Sequence, residues 1–207
     1  MKNTPRFIAI EGLDGAGKST LANAIELCFT EKGLDILLTQ EPTGGQVGHR
    51  VQRILDGKMP LPGTNRELQR LRIEDRFDHI RSIIKPHLQL GNWVLTVNYW
   101  LLTLADGMSE GKVEDYERMN DEIIGEHMIY PHIALLLDAP ADVCLERLER
   151  KGIRFVDWSE KKVLEKIRAN YMWLAENGRF GNICVINADR PKDEVLSSAI
   201  TALGPFL

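Results

Sequence analysis

Residues Gly12-Leu13-Asp14-Gly15-Ala16-Gly17-Lys18-Ser19 read G-x-x-x-x-G-K-S, directly behind the apolar run Phe7-Ile8-Ala9-Ile10 and ahead of a stretch of helical character. Strand, glycine-rich turn and helix in that order form the setting of a phosphate-binding loop, and they commit the opening elements of the fold. A glycine-rich turn that matches by coincidence is the competing reading, and the flanking strand and helix argue against it. The glycines let backbone N–H groups curl around a phosphate, and the helix N-terminus adds partial positive charge. Gly12, Asp14, Gly15, Ala16, Gly17, Lys18, Ser19 and Thr20 are therefore expected around the phosphates of a nucleoside triphosphate. Lys18 is the expected catalytic cation, and the Ser19 hydroxyl the expected ligand of Mg²⁺.

The same alternation continues along the chain. Runs at 36–39, 93–97, 133–137 and 183–186 join the first to give five strands, several apolar on both alternating faces. Helical patterns fall at 18–32, 66–89, 113–128, 140–151, 159–177 and 191–203, with a shorter one at 46–56. Strands alternating with helices predict an α/β, three-layer P-loop NTPase fold: a five-stranded parallel sheet with helices on both faces. Pro140 and Pro191 are placed in first helical turns, where a missing N–H costs nothing. Asp157 with Glu160 suggests a capping box ahead of the 159–177 helix. The 207 residues suit a single domain over 1–207, without repeats or linkers. Ligands of open sheets gather beyond the carboxyl ends of the strands. The segments at 40–45, 98–100 and 138–140 thus join the loop as candidate site segments.

Composition narrows the function classes. Hydrophobic residues are 43% and charged residues 27%, as in globular proteins, and a net charge of −4 argues against non-specific nucleic-acid binding. There is no apolar stretch of membrane-spanning length, and the first five residues are too short for a secretion signal, so a cytoplasmic protein without a membrane partner is expected. Cys28, Cys144 and Cys184 lack C-x-x-C spacing and read as thiols. His49, His79, His87, His127 and His132 lack metal-ligand spacing.

The chain resembles the thymidylate kinase family, nucleoside monophosphate kinases that move the γ-phosphoryl group of ATP onto dTMP. The resemblance runs almost end to end: the opening at 7–20, Glu41-Pro42-Thr43-Gly44-Gly45, Glu74-Asp75-Arg76 with His79, the segment 84–88, Leu136-Leu137-Asp138-Ala139-Pro140, and a lid-like stretch from Arg147 to Arg154 within about 147–158. It implies that Asp14 contacts the acceptor sugar, that Arg76 reaches the acceptor base or phosphate, and that Glu41, Pro42, Arg72, Asn98, Tyr99 and Asp106 lie around the acceptor. Asp14 as a turn residue and Arg76 as half of a surface pair with Asp75 are the structural alternatives. Members with glycine after the loop aspartate draw transition-state cations from the lid. Gly15 occupies that position here, so Arg147, Arg150 and Arg154 are the implied catalytic cations, together with Lys151. At i, i+3 and i+7 the three arginines share a helix face, although Glu146 and Glu149 could make it an ordinary solvated one. Family members are commonly homodimers, and Ile123, His127 and Tyr130 could belong to a dimer face or cover the helix's own core.

The acceptor half departs from the family pattern. Val97-Asn98 replaces an Asp-Arg pair at the end of the third strand, removing the acid behind the metal and a bidentate phosphate ligand. Gln40 and Gln52 stand at arginine positions, Arg72 stands where an aromatic stacks on thymine, and Leu102 and Asp106 replace serine and tyrosine. Arg50, Arg53 and Arg72 are candidate compensating cations, and Asp106 a candidate stand-in carboxylate. Three readings stay open: a nucleoside monophosphate kinase of thymidylate kinase type acting on dTMP or a related pyrimidine nucleotide, a kinase with a changed acceptor, and an ATP-binding protein without transferase activity.

Overall fold

In a computed structural model describing residues 6–61, 63–152 and 158–206, the five runs form β1 (Phe7–Gly12), β2 (Ile36–Gln40), β3 (Trp93–Val97), β4 (Ile133–Asp138) and β5 (Ile183–Asn187). They make one sheet in the order β2-β3-β1-β4-β5, with every neighbouring pair parallel. Because β1 is central and covered on both faces, all six of its residues are buried, which explains its lack of polar alternation. Registers Ile10↔Val97, Gln40↔Val97 and Gly12↔Leu137 bring the carboxyl ends of four strands together.

The helices are α1 (Lys18–Glu31), α2 (Gln46–Leu55), α3 (Asn65–His79), α4 (Lys85–Gln89), α5 (Trp100–Gly107), α6 (Val113–Ile123), α7 (Ala141–Glu149), α8 (Trp158–Asn177) and α9 (Lys192–Leu203). Ile8, Ile10, Leu135 and Leu137 face one way, onto Ile25 and Phe29 of α1 and Ala199 and Leu203 of α9. Phe7, Ala9, Val94 and Leu136 face the other way, onto Leu104 of α5, Tyr116 of α6 and Leu174 of α8. A third cluster, Val51, Ile54, Leu68 and Leu71, locks α2 against α3 as one wall. Each fully buried aliphatic side chain contributes about 1.5–3 kcal/mol.

Four expectations need correction. The 66–89 pattern is α3, a π-helical turn over Ile80–Ile84, and α4. Pro86 has no N–H to give four residues back, and the wider turn, in which the Lys85 N–H reaches the Ile80 carbonyl, absorbs that defect. The 113–128 pattern stops at Ile123, followed by a 3₁₀ turn over Gly125–His127. Pro140 and Pro191 are N-caps one position before their helices, with extended ψ, and their carbonyls accept from Cys144 and Val195 N–H at 3.1 Å. Finally, α5 is absent from the expected helices. Its residues are nearly all apolar and buried, so it shows no helical period to the eye. The expected box at Asp157 lies outside the described residues.

Candidate active site

The loop between β1 and α1 holds its shape by sterics. Gly15 adopts φ +87°, and a Cβ there would sit 2.3 Å from the Cys144 carbonyl oxygen of α7. Gly17, at φ +106°, is the N-cap of α1, and neither a side-chain cap nor an acid occupies the first turn of that helix. Its leading N–H groups are thus left for an anion. Lys18 is buried and its ammonium donates to the Gly12 carbonyl at 2.8 Å, the Leu13 carbonyl at 3.0 Å and the exposed Asp14 carboxylate at 3.0 Å. That ammonium holds the Asp14 carboxyl below the ordinary carboxylate range. Asp14 is the one partner of Lys18 that solvent or a phosphate can displace. Ser19 and Thr20 are exposed on the first turn of α1. Ala16 has no side chain at the cavity wall: it is buried, and its carbonyl accepts from Arg147 at 3.3 Å.

The loop opens into a cavity of about 790 Å³, within the size range of small-molecule sites. Gln40, Glu41, Pro42, Gln52, Arg72, Arg76, Val97, Asn98, Leu102 and Asp106 line it opposite the loop. Arg76, fully buried, spends all five N–H donors internally: two on Glu41 Oε2 (3.1 and 3.0 Å), and one each on Thr103 Oγ1 (3.1 Å), Asn120 Oδ1 (3.1 Å) and the Tyr99 carbonyl (2.7 Å). It is no surface partner of Asp75, which is itself buried and accepts from the Thr43 N–H at 2.8 Å and the Thr43 hydroxyl at 2.5 Å. Burial raises the Asp75 carboxyl. Glu41 is held between Arg76 and His79, whose Nδ1 lies 3.1 Å from Oε1.

Tyr99 turns away from the cavity. Asn98 has φ +62°, so the chain bends and drives the Tyr99 ring into the core, edge-on to Phe7 at 4.9 Å, with its hydroxyl donating to the Ile129 carbonyl. Only its carbonyl serves the site, through Arg76. Asn98 stays at the wall, its Nδ2 donating to the Glu41 carbonyl at 3.0 Å while its Oδ1 is buried without a partner among the described residues. Arg50 and Arg53 are exposed and absent from the cavity lining, whereas Arg72 and Asp106 line it and pair at 2.5 Å. Of the three candidate cations, Arg72 is the one on that wall. Asp106 is engaged with Arg72 and with Gln69, which donates at 2.9 Å.

On the donor side, Arg147 reaches across the loop to the Ala16 and Ala188 carbonyls (3.3 and 2.9 Å), tying α7 to the exit of β5. Arg150 instead forms an exposed pair with Glu146 at 2.5 Å, the solvated alternative weighed above, because α7 ends at Glu149 and turns it outward. Lys151 lines the cavity, and Arg154 lies outside the described residues. Arg168 of α8 grips Asp138 with two bonds, 2.6 and 2.9 Å, at the end of β4.

Sequence reasoning gave no role to Glu11. It is fully buried at the end of β1, where its Oε1 accepts from the Leu101 N–H at 3.1 Å and caps α5 from 90 residues away. Burial pushes its carboxyl up to about 8, against the pull of Arg76. A lone acid ending an otherwise apolar strand was the available signal.

A glycine cradle with an uncapped helix end and a buried lysine, at the carboxyl edge of a parallel sheet and facing a second wall, defines a P-loop phosphotransferase. The thymidylate kinase family model matches residues 10–199, so the chain belongs to that family. Among its relatives, a "probable thymidylate kinase" of Thermococcus onnurineus is 32% identical, covering 88% of this chain and 89% of that one. The thymidylate kinase of Chlamydia caviae is 32% identical over 95% and 96%, and that of Thermosipho africanus 30% identical over 92% and 94%. As a member, the chain is a nucleotide-binding phosphotransferase of the nucleoside monophosphate kinase type, a type that uses ATP and a divalent metal.

Proposed function

We propose that this chain transfers the γ-phosphoryl group of ATP to dTMP or a related pyrimidine nucleotide, as a single kinase domain whose lid spans about 147–158. The observation that carries the reading is the uncapped α1 N-terminus with Lys18, facing the α3–α5 wall across one cavity. Lys18 leaves Asp14 for the triphosphate, the loop N–H groups orient it, and Lys151 and Arg147 stand on the donor side. Mg²⁺ fits the donor set at the helix start, since Ser19 offers an exposed hydroxyl oxygen and Asp14 an exposed carboxylate nearby. When bound, the metal neutralises charge on the β- and γ-phosphates. Ser19 is the residue that would hold it. Arg76 acts as a positioning residue, keeping Glu41, Tyr99 and Thr103 in register behind the acceptor.

A cytoplasmic homodimer is part of this reading. Of the helix-side stripe, Ile123 packs against the core, while His127 is exposed and Tyr130 is 56% exposed. Light scattering on the purified chain decides the assembly.

The test of activity is ADP release with ATP, Mg²⁺ and a panel of nucleoside monophosphates. Saturable turnover with at least one pyrimidine monophosphate, lowered about 100- to 1,000-fold in Lys18→Ala, is expected, and no turnover with any of them refutes the kinase reading. A second reading, ATP binding without transfer, draws on Val97 at the wall where the family carries an acid. One efficiently phosphorylated acceptor removes it.

A further inference from the structure

We infer that the preferred acceptor carries a cytosine-type base, read by the Arg72–Asp106 pair on the acceptor wall. The inference rests on the pyrimidine nucleotide kinase reading above and names which pyrimidine. Arg72 on α3 and Asp106 on α5 have side chains only 12% and 17% exposed, and both line the cavity. Their inner halves are fixed by Gln69, which is fully buried. Gln69 donates to Asp106 Oδ2 at 2.9 Å and to Asn65 Oδ1 at 2.7 Å, and its Oε1 accepts from Arg72 Nη1 at 3.1 Å. Nη1 also donates to Asp106 Oδ2 at 2.5 Å, so both its hydrogens and that oxygen are engaged.

Asp106 Oδ1 and the Nε and Nη2 donors of Arg72 keep no partner among the described residues. One acceptor beside a run of donors is the complement of a donor followed by two acceptors. The cytosine edge has that order in its N4 amino group, N3 and O2. Thymine and uracil present acceptor, donor, acceptor, so pairing N3–H with Oδ1 leaves a carbonyl oxygen facing the carboxylate. A buried carboxylate repels that oxygen strongly. Guanine offers the same order of groups along N1–H, O6 and N7, and the pyrimidine reading separates it by size.

The experiment is kcat/KM of the full chain for dCMP, dTMP, dUMP and dGMP with ATP and Mg²⁺, repeated with Asp106→Asn. About 10-fold or greater preference for dCMP over dTMP and dUMP is expected from one such polar pairing. In Asp106→Asn the amide oxygen turns to meet the Arg72 and Gln69 donors and the NH₂ faces the base, so the dCMP:dUMP ratio falls about 10-fold or more. A pair acting only as a strut between α3 and α5 lowers all acceptors by one factor and leaves the ratio unchanged, which overturns the inference. Preference for dTMP, dUMP or dGMP in the parent overturns it too while the kinase reading stands. Absence of turnover with all four defeats both, and if the variant does not fold the parent's preferences decide alone.

Discussion

Glu11 shows how burial sets chemistry at the level of a single residue. Its carboxyl sits at about 8 when folded against an ordinary 4.5, so between those values the folded state binds the proton and the unfolded state has released it. Stability from this group is complete below about 4.5 and is lost as pH rises toward 8, by up to ~1.4 kcal/mol per pH unit. Glu11→Gln keeps the neutral shape, so urea midpoints at pH 5.5 and 8 are expected to fall steeply in the parent and much less in the variant; parallel slopes would refute the assignment. Lys18 is a different case, because in the proposed function its ammonium stabilises charge that develops during transfer. Lys18→Ala is expected to lower kcat by about 100- to 1,000-fold while the fold persists, as checked by single-turnover ADP release and circular dichroism. The contrast explains what could be read beforehand. Gly15, Lys18 and Ser19 are fixed by neighbours in the chain, so their motif announces them. The Arg76 network joins Glu41, Tyr99, Thr103 and Asn120, separated from it by 23 to 44 positions. No local pattern records that the arginine would be saturated rather than free.

Among the elements, α3 carries Arg72 and Arg76 to the cavity, so its start sets their height. Thr64 caps it: its hydroxyl accepts from the Glu67 N–H at 3.3 Å, and Glu67 Oε2 accepts from the Thr64 N–H at 3.0 Å, a closed capping box. Thr64→Ala is expected to cost about 1 kcal/mol by urea denaturation, and its kcat is expected to stay within about two-fold of the parent, since the α2–α3 cluster still holds the helix. The strands and most helices were legible because apolar runs of strand length alternate with helical periods. What escaped was set by tertiary partners. The N-terminus of α5 is satisfied by Glu11 rather than by a neighbouring cap, and its apolar residues meet core on nearly every side. The π turn before α4 follows from one missing N–H at Pro86, a defect that hydrophobic periodicity does not register.

At the scale of the whole molecule, the strand order places β1 between β3 and β4, whose chains leave toward α5 and α7 on opposite sides of the phosphate loop. In the proposed function, the crevice at that divergence takes the donor against the α7 side and the acceptor against the α3–α5 wall. Strand order was not contained in the alternation of elements, which is compatible with several parallel arrangements; the departures at Val97 and Asn98 became interpretable only once β3 was seen between β1 and β2. This arrangement makes ATP a partner of the native state alone, because an unfolded chain has no curled loop and no helix end. At a free concentration 100 times its Kd, the nucleotide with Mg²⁺ therefore stabilises the fold by about 2.7 kcal/mol, equivalent to a rise of about 5–10 °C in Tm for a chain of this length. Thermal unfolding followed by circular dichroism measures it. The rise should disappear in Lys18→Ala and persist in Asp106→Asn, because the first residue belongs to the donor loop and the second to the acceptor wall. A shift that survives loss of Lys18 would mean that the nucleotide binds elsewhere than in this crevice.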